Sequence, residues 1–271
     1  MTYELNINKL KIVDKILKPY PLIIYSNLLD ISQINLLQKS LSDNTTEFDK
    51  TVMGNRKTIL KGSPNFINFI NKTQSAEHVF KFFEDKNVYN FFYENLKDLN
   101  KNNKEYFYLN CKKFGYLKYY DNRKKDIFFK IKNKLLKMSS QIMNNHKVYC
   151  DLDFSMAGSG YEREPHHDNE NRILNFLYYI NNFNSSDGGN FQIFQYKEKP
   201  NFYFRQPPQD NVFELKKIPP KQGHLVTFLS TPNSIHGVDR IVSTDKKRYF
   251  FYGSYTSVKK VDWKYKKKNE S

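Results

Sequence analysis

Cysteine is nearly absent from this 271-residue chain, which has only Cys111 and Cys150. Two thiols cannot make the dense disulfide framework of a small secreted fold. A reducing, cytoplasmic compartment is therefore expected, with both thiols buried rather than reactive. Long apolar runs are missing as well. No stretch approaches the ~18 uninterrupted apolar residues that span a bilayer. Near the N-terminus, Lys9, Lys11, Asp14, Lys15 and Lys18 interrupt the place where a signal peptide would have its apolar core. No repeat is visible, and no Gly/Ser- or Pro-rich linker divides the chain. Nothing has the pattern of a Ser-His-Asp or Cys-His nucleophilic site.

Acidic residues are outnumbered, 28 against 44 Lys and Arg, for a formal charge of +16. Such an excess suits a polyanion partner. Almost all of it is Lys, however, whereas Arg is the residue of bidentate phosphate and base contacts. Lys, Asn, Ile, Tyr and Phe are inflated together, as in chains encoded by AT-rich genomes. A solvated lysine surface is favoured over nucleic-acid binding, and the cluster Lys259 to Lys268 reads as a basic tail over 259–271. With 20 Tyr and 23 Phe, the core is expected to be rich in rings.

The chain changes character near residue 145. Before it, apolar residues recur at helical spacing. Ile34, Leu37 and Leu41 follow Ser32 as N-cap, Val79, Phe82, Phe83 and Leu96 share a long stretch, and Ile127, Ile131, Leu135 and Met138 form one face. Residues 21–25 read as an opening strand. After residue 145 the pattern is that of strands: 148–154, 172–180, 191–196, 224–229 and 248–252, with a further short one between Pro207-Pro208 and Pro219-Pro220. Asp187-Gly188-Gly189-Asn190 is turn chemistry. This order predicts an α+β fold with a double-stranded β-helix (jelly-roll) core at 146–258. The mainly helical region 1–145 packs against it, all in one integrated domain.

Histidine is scarce, with six residues, yet their placement is informative. In Glu164-Pro-His-His-Asp168, His166 and Asp168 lie two apart and share a strand face, while His167 points away. His236, in Ser234-Ile-His-Gly-Val238, comes 68 positions after Asp168. Singly, His236 is as readily a satisfied loop histidine and Asp168 a turn cap. Jointly, two imidazoles and a carboxylate form the facial triad of non-haem iron(II) oxygenases, which leaves positions open for a chelating co-substrate and O₂. Such a pocket needs a cation at its far end for a dicarboxylate. Arg248, 12 residues past His236, fits that need. Arg240 is the competing candidate, closer to the metal.

The stretch from His166 to Tyr255 resembles the prolyl-4-hydroxylase-like branch of the 2-oxoglutarate/iron(II) dioxygenases. The resemblance is carried by His-His-Asp, Arg-Ile-Leu-Asn-Phe-Leu-Tyr-Tyr-Ile-Asn, Asp-Gly-Gly-Asn-Phe, Pro-Lys-Gln-Gly-His-Leu-Val-Thr-Phe, His-Gly-Val and Arg-Tyr-Phe, in that order and spacing. Pro21 to Leu29 looks like the strand that opens such enzymes. The resemblance implies iron(II) on His166, Asp168 and His236, and 2-oxoglutarate and O₂ as co-substrates, with ascorbate as reductant. Arg248 and Tyr179 would meet the distal carboxylate of 2-oxoglutarate, and Val238 would pack against it. Alternation places Asn175 beside Tyr179 on the pocket face, with Phe176 and Tyr178 on the other. Many relatives carry a tyrosine where Met156 stands, so one bond to the co-substrate is missing or supplied from elsewhere. Asp168 is retained, which implies hydroxylation rather than halogenation.

The prime substrate is expected to be a peptidyl or free proline or another amino acid, with a sugar or nucleobase next. Tyr161 and Arg163, in the loop that enters the iron site, are the candidate contacts, with Tyr203 and Arg205 in the long 196–211 connection. Two other classes stand beside this one: a jelly-roll metal-binding protein without oxygenase turnover, and a basic nucleic-acid-binding or -modifying protein with an incidental triad.

Overall fold

Between Asn145 and Ser257 the regular elements among the described residues are eight strands and two three-residue turns of 3-10 helix. A computed structural model describes residues 5–44, 48–50, 55–103, 105–111, 113–121, 127–200, 205–243 and 245–267. The N-terminal half holds β1 (Lys11–Ile16), β2 (Leu22–Ser26), α1 (Ile31–Asp43), β3 (Asp49–Lys50), β4 (Arg56–Ile59), α2 (Pro64–Lys72) and α3 (Gln74–Phe83). It continues with α4 (Lys86–Lys101), β5 (Glu105–Leu109), β6 (Lys113–Tyr116) and α5 (Ile127–Ile142). The remaining strands are β7 (Asn145–Ala157), β8 (Arg163–His166), β9 (Arg172–Tyr179), β10 (Phe191–Tyr196), β11 (Val212–Ile218), β12 (Leu225–Leu229), β13 (His236–Val238), β14 (Arg248–Ser257) and β15 (Trp263–Lys267).

A nine-stranded sheet runs β1-β2-β12-β9-β14-β7-β4-β3, with β6 pairing β7 in parallel. A four-stranded sheet runs β11-β10-β13-β8, and β15 pairs with β5. The half read as helical thus supplies strands to the large sheet. β2 joins β12 and β4 joins β7. β2 is the opening strand expected at 21–25, whereas β4 is too short to impose a period of its own.

Alternation along the central strands separates two cores. Phe154, Phe176, Tyr178 and Phe251 face one side of the large sheet, where they meet helical residues such as Leu37, Phe83 and Phe92. Leu177, Tyr179, Val226 and Phe250 face the other side, against Phe191, Ile193 and Ile218 of the small sheet. Ring packing dominates the first core. Phe83 stacks on Phe176 with centroids 4.1 Å apart, and Tyr178 on Phe251 at 4.7 Å. Each such side chain contributes ~1.5–3 kcal/mol by burial. The second core lies between the sheets and surrounds the candidate site.

Two local expectations change. The cap of α1 is Asp30, not Ser32: Asp30 accepts from Gln33 N at 2.8 Å, and Gln33 returns a bond to Asp30 N at 3.0 Å. A carboxylate with Gln three residues on completes the capping box, and Ser32 in the first turn donates to Asp30. In α5 the apolar stripe is not core. Ile127 is 68 % exposed and Ile142 83 %, with Ile131, Leu135 and Met138 between them, while Phe129 and Leu136 on the opposite face pack inward. The helical period was legible there, but the buried side was not. Among the described residues, no helix is long and apolar enough to cross a membrane.

Candidate metal and co-substrate site

Strand β8 ends at His166 and β13 begins at His236, and the two residues pair across the small sheet. Asp168 follows β8 by two residues. One ligand atom from each of His166, Asp168 and His236 lies within 4.8 Å of the others, the geometry of a group able to hold a metal ion. The imidazoles are already oriented. His166 Nδ1 sits 2.8 Å from the Glu164 carbonyl and His236 Nδ1 3.1 Å from the Ser234 carbonyl. Each Nδ1–H donates to its carbonyl, so each Nε2 lone pair is left for a metal. His236 Nε2 is 3.5 Å from Asp168 Oδ2. Phe191 and Phe228 wall in its ring.

The protonation states suit ligation. Burial, reinforced by neighbouring His236, lowers His166 to about 3, and burial lowers His236 as well. Both rings are neutral near pH 7. Burial alone would raise Asp168, but the Arg172 guanidinium, together with His236 and His166, outweighs it and holds the carboxyl well below the usual range. Arg172 donates to Asp168 Oδ1 at 2.7 Å, and the Tyr252 hydroxyl donates to the same oxygen at 3.2 Å. Arg172 also reaches Tyr252 and, at 3.3 Å, Asn175 Oδ1. Asn175 therefore lies at the Asp168 end, where its Oδ1 accepts from both Arg172 and Tyr252.

The triad opens into a cavity of about 140 Å³ that Arg248, Val238, Phe250, Tyr161 and Arg163 also line. Arg248 is 1 % exposed at the start of β14. One of its nitrogens donates to the Gly189 carbonyl at 2.8 Å, while its Nε is buried with no partner among the described residues. The Tyr179 hydroxyl is likewise buried and unpartnered, and Arg248 lies 5.1 Å from the Tyr179 ring centroid. Burial pushes Tyr179 up to about 12 despite the opposing Arg248, so it remains a donor. A buried guanidinium and a buried phenol lacking acceptors are costly unless an anion completes them. The donor set fits the distal carboxylate of a dicarboxylate such as 2-oxoglutarate.

The turn at 187–190 sets this end. Gly188 and Gly189 have φ of 75° and 73°. A Cβ on Gly188 would stand 2.0 Å from the Arg240 carbonyl. The close approach excludes any other residue there. Arg240 itself is exposed and does not line the cavity.

His167 points away from His166, Asp168 and His236: its Nε2 is 2.8 Å from the Tyr196 hydroxyl. Met156 packs toward the helices, and the residues of β7 on the site side are Ser155 and Ala157. Arg205 lies at the cavity and is exposed, and Tyr203 lies outside the described residues. Cys150 is a fully buried free thiol, and Cys111 is half-buried.

Sequence reading did not single out Arg172, Tyr252 or Arg56, all of which line the cavity. Alternation from Arg248 through Phe250 to Tyr252 could have found the tyrosine. Arg56 arrives from β4, where no local signal exists. Arg163 and His166, three apart on β8, would normally face opposite sides. A register irregularity in the β8–β13 pairing lets both line the cavity.

Residues 152–255 match the sequence profile of the 2OG-Fe(II) oxygenase superfamily. No curated protein matches the chain by sequence. Among solved structures, a prolyl-4-hydroxylase from Pseudomonas putida aligns over 89 % of this chain and 94 % of its own, at 12 % identity and TM-score 0.43. A Phytophthora capsici prolyl 4-hydroxylase aligns over 87 % and 58 %, at 15 % identity and TM-score 0.48. A Trichoplax adhaerens prolyl hydroxylase, solved with a fragment of the hypoxia inducible factor oxygen degradation domain, aligns over 89 % and 85 %, at 17 % and 0.44. In its strand-rich half, this chain resembles the 2OG-Fe(II) oxygenase superfamily.

Proposed function

We propose that this protein is an iron(II)- and 2-oxoglutarate-dependent dioxygenase that hydroxylates a C–H bond. The observation that carries this reading is the two-ended cavity. At one end, two neutral imidazoles and an ionised carboxylate converge through free Nε2 and oxygen atoms. At the other, Arg248 lines the cavity with its Nε buried and unpartnered among the described residues, and beside it stands Tyr179, whose hydroxyl is also buried and unpartnered. Bound iron(II) with 2-oxoglutarate supplies redox chemistry that couples loss of CO₂ and formation of succinate to insertion of one oxygen atom from O₂. His166, Asp168 and His236 would hold the metal. Arg172 and Tyr252 keep Asp168 ionised and oriented, and Arg248 with Tyr179 anchors the distal carboxylate while Val238 packs beside it. Phe191 and Phe228 exclude water around His236.

In this reading the two sheets are the halves of a double-stranded β-helix, with residues 146–258 as the oxygenase core and 1–145 as its support. Ascorbate serves as reductant. A prolyl side chain, peptidyl or free, is the preferred target, and Tyr161, Arg163 and Arg205 are its candidate contacts. Two cysteines in 271 residues fit a reducing, cytoplasmic setting.

The test is succinate formation by the purified protein in air with iron(II), 2-oxoglutarate and ascorbate, beside His236→Ala and Arg248→Ala. Slow turnover that both variants abolish supports the assignment. Failure of the wild-type protein to bind iron(II) and 2-oxoglutarate together under nitrogen would overturn it.

A further inference from the structure

Arginine is rare in this chain, seven residues against 37 lysines, yet five of the seven line the single cavity of the candidate site: Arg56, Arg163, Arg172, Arg205 and Arg248. No lysine lines it among the described residues, and Asp168 is its one carboxylate there. Five guanidinium groups against one carboxylate leave a formal excess of four positive charges. A divalent metal adds two and a 2-oxoglutarate dianion removes two, so loading the site does not change the excess. Asp151 and Asp153 act on Arg172 from β7. Counting both in full still leaves two. Those are Lys-poor, Arg-rich walls inside a Lys-rich protein, the reverse of what compositional drift produces.

Two of the five cations are already engaged by what is described above: Arg172 by Asp168, and Arg248 by the distal carboxylate it is proposed to hold. Arg56 is held in place, 3.0 Å from Ser155 Oγ and 5.3 Å from the Phe250 ring centroid. Arg163 and Arg205 make no ion pair among the described residues and stand at least partly open to solvent. Clustered guanidinium groups in a cleft walled by rings attract and orient carboxylate or phosphate oxygens through charge-assisted, bidentate bonds. Arg205 also lines a broader groove of about 920 Å³ that shares Asp168 and Asn169 with the cavity and extends to Lys259 and Lys260. Glu170 and Asp262 also line that groove, and Lys260 pairs with Glu170 at 2.7 Å, so the cationic excess is concentrated in the inner cavity.

We infer that the prime substrate carries anionic groups, carboxylate or phosphate, close to the bond that is attacked, and that Arg163 and Arg205 receive them with Arg56 at their side. The inference rests on the oxygenase reading and narrows it, because a target flanked by neutral groups would leave this charge unanswered. Arg163 and Arg205 are then specificity-determining residues, and the sources to distinguish are acidic residues flanking a target in a peptide and a phosphomonoester.

The experiment is calorimetric titration of the full-length protein with Mn(II) and 2-oxoglutarate bound, under nitrogen. Acetyl-Asp-Pro-Asp-amide is compared with acetyl-Asn-Pro-Asn-amide, and glycerol 2-phosphate with glycerol. One anionic probe is expected to bind at least about tenfold more tightly than its neutral counterpart, and the winning probe identifies the source. Arg163→Gln with Arg205→Gln should reduce that preference below about threefold while 2-oxoglutarate affinity stays within about twofold. Arg163→Lys should retain part of it. Arg240→Gln, outside the cavity, should leave the preference intact. Equal binding of anionic and neutral probes would overturn the inference, as would a loss in Arg240→Gln as large as in the double variant, the mark of general surface attraction. Failure of the wild-type protein to take up Mn(II) and 2-oxoglutarate at all would instead sink the oxygenase reading beneath it.

Discussion

His166 and His236 are paired across β8 and β13, and each holds its Nδ1 against the carbonyl two residues before it, Glu164 for one and Ser234 for the other. The same local device thus sets both tautomers, and the strand pairing brings the two Nε2 atoms together. Asp168 completes the set from the segment after β8, held by Arg172 and Tyr252.

Metal binding should follow this hierarchy. His236→Ala or Asp168→Ala removes a ligand and is expected to abolish measurable Mn(II) binding. Tyr252→Phe deletes only a hydrogen bond to the ligand and should weaken the metal by roughly 10-fold, at the low end of such outer contacts. Calorimetric titration under nitrogen measures both. Unchanged affinity in Tyr252→Phe would show that Arg172 alone suffices to orient Asp168.

Arg248 should govern the co-substrate and not the metal. Arg248→Gln leaves Mn(II) affinity intact but raises the 2-oxoglutarate dissociation constant by roughly 100-fold, since a charge-assisted pair contributes about 3 kcal/mol. Tyr179→Phe removes one neutral donor and should cost about fivefold. Equal loss of metal in Arg248→Gln would place the arginine in the structural frame instead.

Beneath the helices, Lys61 and Glu84 form a fully buried ion pair, and Lys61 also donates to the Cys150 and Tyr120 carbonyls. Lys61→Met strands the Glu84 carboxylate and should destabilise the fold by about 3–5 kcal/mol. Lys61→Met combined with Glu84→Leu should recover much of that. Chemical denaturation of the four proteins closes the cycle, and an additive result would show that the two groups are not coupled.

Acid should weaken the fold partly through His146, which is bonded through Nδ1 to the Ser257 hydroxyl at 2.8 Å. Burial lowers His146 from its ordinary 6.5 to about 4. Between those values the unfolded chain binds a proton that the folded one refuses. Stability therefore rises with pH across this window, is complete above about 6.5 and is lost as pH falls toward about 4. His146→Gln should reduce the slope of unfolding free energy against pH in that interval by at most one proton, ~1.4 kcal/mol per pH unit. An identical slope in the variant would show that His146 titrates normally.

What the chain's own pattern determined is short-range. Strand-like patterning located β7, β9, β10, β12 and β14 and the faces of β9 but not the short β8 and β13, and helical spacing located α1 and α3 to α5. The His-x-Asp spacing, the later His-Gly-Val and the arginine beyond it marked the residues that the structure brings to one cavity. Those signals are local because a strand face or a helix face is set by a few consecutive dihedral angles. Tertiary structure decided the rest. It sent the α5 stripe to solvent, because the sheet took the opposite face of that helix, and it turned Met156 to the helical core. It carried Arg56 from β4, a segment with no period long enough to read, to the same cavity as Arg163, whose own placement depends on an irregular pairing. Which cations meet is a property of sheet order and register, and these are fixed by burial of both sheet faces at once, a condition that no single segment contains.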